Sequence, residues 1–367
     1  MCTSLLYSDQ TGSFYAGRTL ELAMELPYLV SYLPKGTQFG SETDQSHVLT
    51  FESKYDIFGV TVPNGSVKDL KIVEGINEAG LNFSLLAYSG AEGPLSKLGD
   101  KEAPLSAIDL GAWALSLFST VAEVKAALET ETVLVMPFAA LGGAKPPFHY
   151  TIHDRSGASI VIEFSDGERR VYDNPLGVMT NGPRFDWHLT NLNNYTFLSN
   201  IDQTSTQFGQ VSLTQPDSGI ATAGLPASDT SVGRFIRAVY YSQFAEKAAN
   251  AEESIQILGH VMNKFDRPKG ASKYKSEHAS VLSASAAKLT NSPAAEKPEY
   301  ISEYTSWTTL IDLNQNKFYL RTYDSLNYVC FDLNAMASGK APQNAPLKAV
   351  KAETGDATAK FLSLKMS

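Results

Sequence analysis

Strand-like and helix-like segments of this chain alternate in groups: strands, helices, strands, helices, strands. Few architectures accommodate that order. Residues 2–8 are strand-like, Asp9-Gln10-Thr11-Gly12 carries turn chemistry, and Ser13-Phe14-Tyr15-Ala16 resumes the strand, so the chain opens on a β-hairpin. Further strands are expected at about 48–51, 57–62 and 82–88. The stretch 105–118 is apolar with few turn residues and reads as helix; Thr120-Val121-Ala122-Glu123 is a capping box opening a short helix to about Leu128. Past Pro146-Pro147, strands at 149–153 and 159–164 flank Asp154-Arg155-Ser156-Gly157, and another follows at about 169–173. Residues 191–231 are polar and rich in Gly, Ser and Pro, which predicts a long ordered loop. Helices are expected at 234–248 and after the cap Asn250-Ala251-Glu252-Glu253, and the last strands at about 305–313 and 317–323. The reading is α+β, with antiparallel sheets packed between helices on one continuous core. Residues 2–334 form a single domain, with a mobile insertion at 267–298 where Lys, Ser, Ala and Pro dominate; 335–367 is a weakly patterned tail.

Composition excludes several function classes. Of 367 residues, 43% are hydrophobic and 19% charged, enough for a large core and too apolar for wholesale disorder. A net charge of −9 gives neither nucleic acid nor an anionic membrane the basic surface it needs. No run approaches the roughly 18 apolar residues of a membrane span. The first residues lack the basic region and cleavage site of a signal peptide, so the chain as written is cytoplasmic. A chain whose leader had been exchanged for Met1 would read the same and would be periplasmic or secreted. The two cysteines, Cys2 and Cys330, are too few for a disulfide framework. His149 and His153 share one strand face but stand roughly 13 Å apart, too far to hold one metal.

Cys2 carries the chemistry. If Met1 is removed, Cys2 offers a thiol beside a free α-amine whose pKa of about 7.7–8 makes it a built-in base. The hairpin turn places Cys2 opposite residue 19 or 20, with Arg18 and Glu21 close by. Arg18 would favour the thiolate and Glu21 could orient the amine. A cysteine after the initiator methionine is often incidental, and Cys330, in the apolar Tyr328-Val329-Cys330-Phe331, is expected as a buried small hydrophobe.

Several blocks resemble one family. Cys2-Thr3-Ser4 followed by Ala16-Gly17-Arg18-Thr19-Leu20-Glu21 looks like the start of the choloylglycine hydrolase/penicillin V acylase family. Glu74-Gly75-Ile76-Asn77-Glu78-Ala79-Gly80-Leu81, Pro146-Pro147-Phe148-His149-Tyr150-Thr151 and Ser159-Ile160-Val161-Ile162-Glu163 are similar to its central blocks. Gly177-Val178-Met179-Thr180-Asn181-Gly182-Pro183, running into Asp186-Trp187-His188, is the most specific match. Gly224-Leu225-Pro226 and Gly233-Arg234-Phe235-Ile236-Arg237 complete a collinear set.

The resemblance implies the four-layer αββα sandwich of N-terminal-nucleophile hydrolases and cleavage of linear amides through a thioester, with no metal or organic cofactor. It implies Cys2 as nucleophile and base, Arg18 beside the thiolate, Asn181 as donor to the tetrahedral oxyanion and Arg234 as support for Cys2. Glu21 stands where the family normally has Asp, a shift of roughly 1.5 Å that can matter in such a site. Ala87 stands where members usually carry a polar or aromatic residue. The small-molecule substrate expected first is penicillin V, with bile salts or acyl-homoserine lactones as alternatives. A retired binding protein on the same scaffold is the reading from outside the class. Residues 191–231 resemble the family's assembly segment and imply a homotetramer.

Overall fold

A computed structural model describes residues 1–23, 25–41, 48–64, 69–94, 103–138, 141, 143–276, 299–337, 339 and 341–352. The opening hairpin sets the frame. Strand β1 (Cys2–Ser8) pairs antiparallel with β2 (Phe14–Leu22) and puts Cys2 opposite Leu20, one of the two expected registers. The Asp9 carboxylate holds the turn by accepting from the Thr11 and Ser13 backbone N–H groups, and Gly12 takes the left-handed φ of 82°. From β2 the sheet continues through Tyr304–Asp312, Lys317–Thr322 and Val329–Asp332, making five strands.

A second sheet of eight strands runs in the order Glu168–Asp173, Ser159–Ser165, Phe148–His153, Asn82–Ala87, Leu70–Asn77, Ile57–Pro63, Leu29–Leu33 and Gln343–Pro346. Helices α1 (Leu110–Leu117) and α2 (Val121–Thr130) lie on the outer face of this sheet. The short α3 (Phe185–Asn191) follows, and then α4 (Ser231–Phe244) and α5 (Ala251–Met262) cover the outer face of the five-stranded sheet. The result is the four-layer αββα sandwich. One core joins Leu86, Val73 and Val60 of the eight-stranded sheet to Leu20 and Leu310 of the other, and continues to Phe235 and Met262 of α4 and α5. A second core lies between the eight-stranded sheet and Trp113, Leu115 and Val124 of α1 and α2. Among the described residues no helix is long and apolar enough to cross a membrane.

Local signals set the helix starts. Thr120 and Glu123 form the expected capping box, and Asn250 accepts from the Glu253 N–H at 3.0 Å. Helix α4 starts earlier than its apolar pattern suggested, because Thr230 caps it through the Gly233 N–H at 3.1 Å. The apolar stretch from 105 forms a short strand before the helix, pairing Leu105–Ser106 with Val133–Leu134. Leu29–Leu33 and Leu70–Asn77, missed in the sequence, are interior strands covered on both faces, so their polar residues do not alternate with apolar ones in the usual way. Cys330, expected buried, is exposed: Val329–Asp332 is the edge strand of its sheet, and this residue points to solvent. The loop 191–231 contains a wholly exposed hairpin, Ser205–Phe208 with Val211–Thr214. At the base of the expected insertion Tyr274–Lys275 pairs with Tyr300–Ile301, while 277–298 and 353–367 lie outside the described residues.

Candidate active site

Directly opposed residues of an antiparallel pair share a face, and successive residues alternate. Cys2, Leu20 and Arg18 therefore point between the two sheets, whereas Thr3, Thr19 and Glu21 point toward α4 and α5. The candidate residues gather around β1 and β2 from both faces.

On the inner face Arg18 is 1% exposed. It donates to the Val73 carbonyl at 2.6 Å, to Glu74 Oε2 at 3.0 Å, to the Leu85 carbonyl, and toward Cys2 Sγ at 3.6 Å. Its guanidinium also lies 5.0 Å from the Trp307 ring centroid. Burial opposes the charge, but Cys2 and Glu74 more than offset it and hold the guanidinium above its ordinary pKa. Burial pushes the Glu74 carboxyl up, against Arg18 and a hydrogen bond from Asn82. A cation fixed this way beside a sulfur favours the thiolate.

On the outer face Arg234, fully buried, reaches in from α4. It donates to the Cys2 carbonyl, to Thr3 Oγ1 at 2.8 Å and to Asn181 Oδ1 at 2.6 Å. Asn181 Oδ1 also accepts the Cys2 backbone N–H at 2.9 Å, and its Nδ2 donates to the Ala87 carbonyl at 2.7 Å. With two donors on one side and a carbonyl on the other, the amide can be oriented only this way. Ser231, three residues before Arg234 on the same helix face, accepts the Asn181 N–H at 2.9 Å.

Glu21 sits apart from this bonding pattern. Its backbone pairs with Met1: the carbonyl accepts from the Met1 ammonium at 2.6 Å, and the N–H donates to the Met1 carbonyl at 2.8 Å. One carboxylate oxygen accepts from Thr305 Oγ1 at 3.3 Å, and the other, buried, has no hydrogen-bond partner among the described residues. Burial raises its pKa, opposed by the charges of Arg234 and the Met1 ammonium. The structure thus brings Cys2, Arg18, Asn181 and Arg234 into one bonded set, with Glu21 adjoining it through the backbone.

Cys2 opens onto a mostly apolar cleft with about 750 Å³ of empty space, part of it open to solvent. Leu22, Tyr28, Val62, Leu85 and Phe148 line it, with Met1 and Glu21 beside the cysteine and Ala87 on the wall. A buried thiol with an adjacent cation, a fixed amide and an apolar cleft has the chemistry to attack the carbonyl of an amide whose acyl part is hydrocarbon.

The family profile of linear amide C–N hydrolases, choloylglycine hydrolase family, matches residues 2–338. The chain belongs to this family. It is a hydrolase of carbon–nitrogen bonds in linear amides. It is 26% identical to a bile salt hydrolase/transferase of Clostridium perfringens over 343 residues, covering 91% of this chain and 93% of that protein. It is 27% identical to a penicillin V acylase of Pectobacterium atrosepticum, covering 65% of this chain and 59% of that one. Its fold superposes on a crystal structure of a conjugated bile acid hydrolase from C. perfringens with a TM-score of 0.78 at 22% identity, covering 97% and 99% of the two chains.

Sequence reading missed Glu74, Ser231 and Trp307 as neighbours of the site. Glu74 lay within a quoted family block, but only the packing of one sheet on the other pairs it with Arg18, 56 residues away. Ser231 carried a usable signal, because it precedes Arg234 by three residues within one helix.

Proposed function

We propose that this family member is a cysteine-dependent N-terminal-nucleophile hydrolase whose substrates are amides of large apolar acyl groups, conjugated bile salts first. The observation that carries the reading is Cys2 at the end of an apolar cleft, with Arg18 at 3.6 Å from its sulfur and its backbone nitrogen 2.9 Å from Asn181 Oδ1. Removal of Met1 would turn that nitrogen into an α-amine already aligned on Asn181. The Cys2 thiol then passes its proton to the amine, directly or through a water, and the thiolate attacks the amide carbonyl. One Asn181 Nδ2 hydrogen is taken by Ala87; the other and backbone N–H groups receive the oxyanion. The leaving amine takes the proton back, and water hydrolyses the thioester. No step calls for a metal or organic cofactor.

Coverage of the relatives favours bile salts over penicillin V, which reverses the order expected from sequence: the bile salt enzyme aligns over nearly its whole length, the penicillin V acylase over 59% of its own. Penicillin V remains the second reading, on that relative. The test is amine release from glycocholate, penicillin V and an acyl-homoserine lactone, with N-terminal mass recorded and Cys2→Ala as control. Cys2-dependent release from glycocholate, with Met1 absent, is expected; release from penicillin V alone would exchange the two readings. An inert protein with Cys2 exposed as first residue would favour the retired binding scaffold. The exposed hairpin Ser205–Phe208/Val211–Thr214 is the surface on which we place assembly into a homotetramer.

A further inference from the structure

Two buried imidazoles take no part in the chemistry above, yet both grip the backbone of the strongest motif. His188, on α3 and 0% exposed, donates from Nε2 to the Asn181 carbonyl at 2.9 Å. A carbonyl only accepts, so the proton sits on Nε2, and Nδ1 has no hydrogen-bond partner among the described residues. The ring lies flat on Phe235 of α4, centroids 4.5 Å apart. His149, also 0% exposed, donates from Nε2 to the Thr180 carbonyl at 3.2 Å, and its Nδ1 stands 3.0 Å from Glu163 Oε1. Its ring stacks on Tyr88 at 4.9 Å, and Glu163 accepts the Phe185 N–H that begins α3. Two consecutive carbonyls are therefore each fixed by an imidazole, while Ser231 fixes the Asn181 N–H.

We propose that His188, and behind it the His149–Glu163 pair, are positioning residues that set where the Asn181 amide stands against Cys2 and Arg234. The inference rests on the role given to Asn181 above. Pairing with β1 ends at Met179, which bridges Ser4, and beyond it the backbone anchors of Thr180 and Asn181 among the described residues are side chains from other elements, so these set the backbone from which the amide reaches Cys2 and Arg234. Displacement on the order of 1 Å in such a site lowers turnover by about a hundredfold.

His188→Phe tests this, because it keeps an aromatic ring on Phe235 and removes the donor. His188→Gln returns an N–H donor at similar reach. The expected result for His188→Phe is a kcat lower by about tenfold or more, KM within about twofold and Tm within a few degrees; His188→Gln recovers most of the loss. Unchanged kcat in His188→Phe, or equal loss in both variants with a lowered Tm, would reduce His188 to core packing. Alkylation of Cys2 in protein lacking Met1, followed on the N-terminal peptide, reads the same geometry without substrate. Its pH profile shifts in His188→Phe and returns in His188→Gln; an identical profile in all three proteins overturns the inference. Amide hydrolysis that survives Cys2→Ala would instead defeat the reading of the site, leaving the alkylation result to decide the role of His188.

Discussion

At the scale of single residues, the site is governed by charges removed from water. Arg18 and Glu74, each 1% exposed, neutralise one another 3.0 Å apart, and losing either leaves the other buried and unmatched. Arg18→Met is expected to lose about 3–5 kcal/mol in urea unfolding together with its hydrolysis. The double variant Arg18→Met/Glu74→Met should regain most of the stability and none of the rate, which separates the structural from the proposed catalytic part of Arg18. Glu21 gives a prediction in pH. Burial raises its folded-state pKa, so its contribution is complete below the unfolded value and declines as pH rises through the folded one. Glu21→Gln should therefore stabilise the fold more at pH 8 than at pH 4, as read by thermal melts; the reverse order would contradict the direction of the shift. Arg18 was legible in sequence because a hairpin turn fixes its cross-strand neighbours. Its carboxylate partner was not, since that contact crosses from one sheet to the other.

At the scale of elements, the twofold period of β2 explains why the candidate set has two sides. Arg18 and Thr19 are neighbours in sequence and face different layers, so the strand that carries Cys2 is gripped from the sheet side by Arg18 and from the helix side by Arg234. Helix α4 contributes through its own period, bringing Ser231 and Arg234 to one segment. The eight-stranded sheet adds a close approach at Gly59, opposite Gly75, where a Cβ would run into the Glu74 carbonyl oxygen. Gly59→Ala should destabilise the protein by about 1–3 kcal/mol in denaturant unfolding, and lower turnover by moving Glu74 away from Arg18. An unchanged rate in a folded Gly59→Ala protein would mean that the Glu74–Arg18 geometry tolerates the shift. The hairpin and capped helices were readable because their signals are local; Leu29–Leu33 and Leu70–Asn77 were not, being strands defined by burial on both faces.

At the scale of the whole molecule, several large apolar side chains stay outside both cores among the described residues, and the hairpin in 191–231 carries a group of them. Phe208 is 69% exposed and Val211 58%, on a hairpin that packs on neither sheet. Light scattering should find a tetramer, and Phe208→Ser/Val211→Ser should yield smaller species of unchanged fold by circular dichroism; a wild-type monomer would refute the assembly proposal. The sequence by itself determined the α+β class of fold, the hairpin register to within one residue and Arg18 beside Cys2, while its resemblance to the family implied that Asn181 and Arg234 join them. The first three follow from local periodicity and turn chemistry, which act over a few residues, and the last from family blocks collinear along the chain. Only the tertiary structure decided that Glu74 neutralises Arg18, that Glu21 meets Met1 through its backbone, and that two imidazoles hold the carbonyls around Asn181. Those contacts exist because sheets and helices distant in sequence are pressed together, where each buried charge and donor must find a partner.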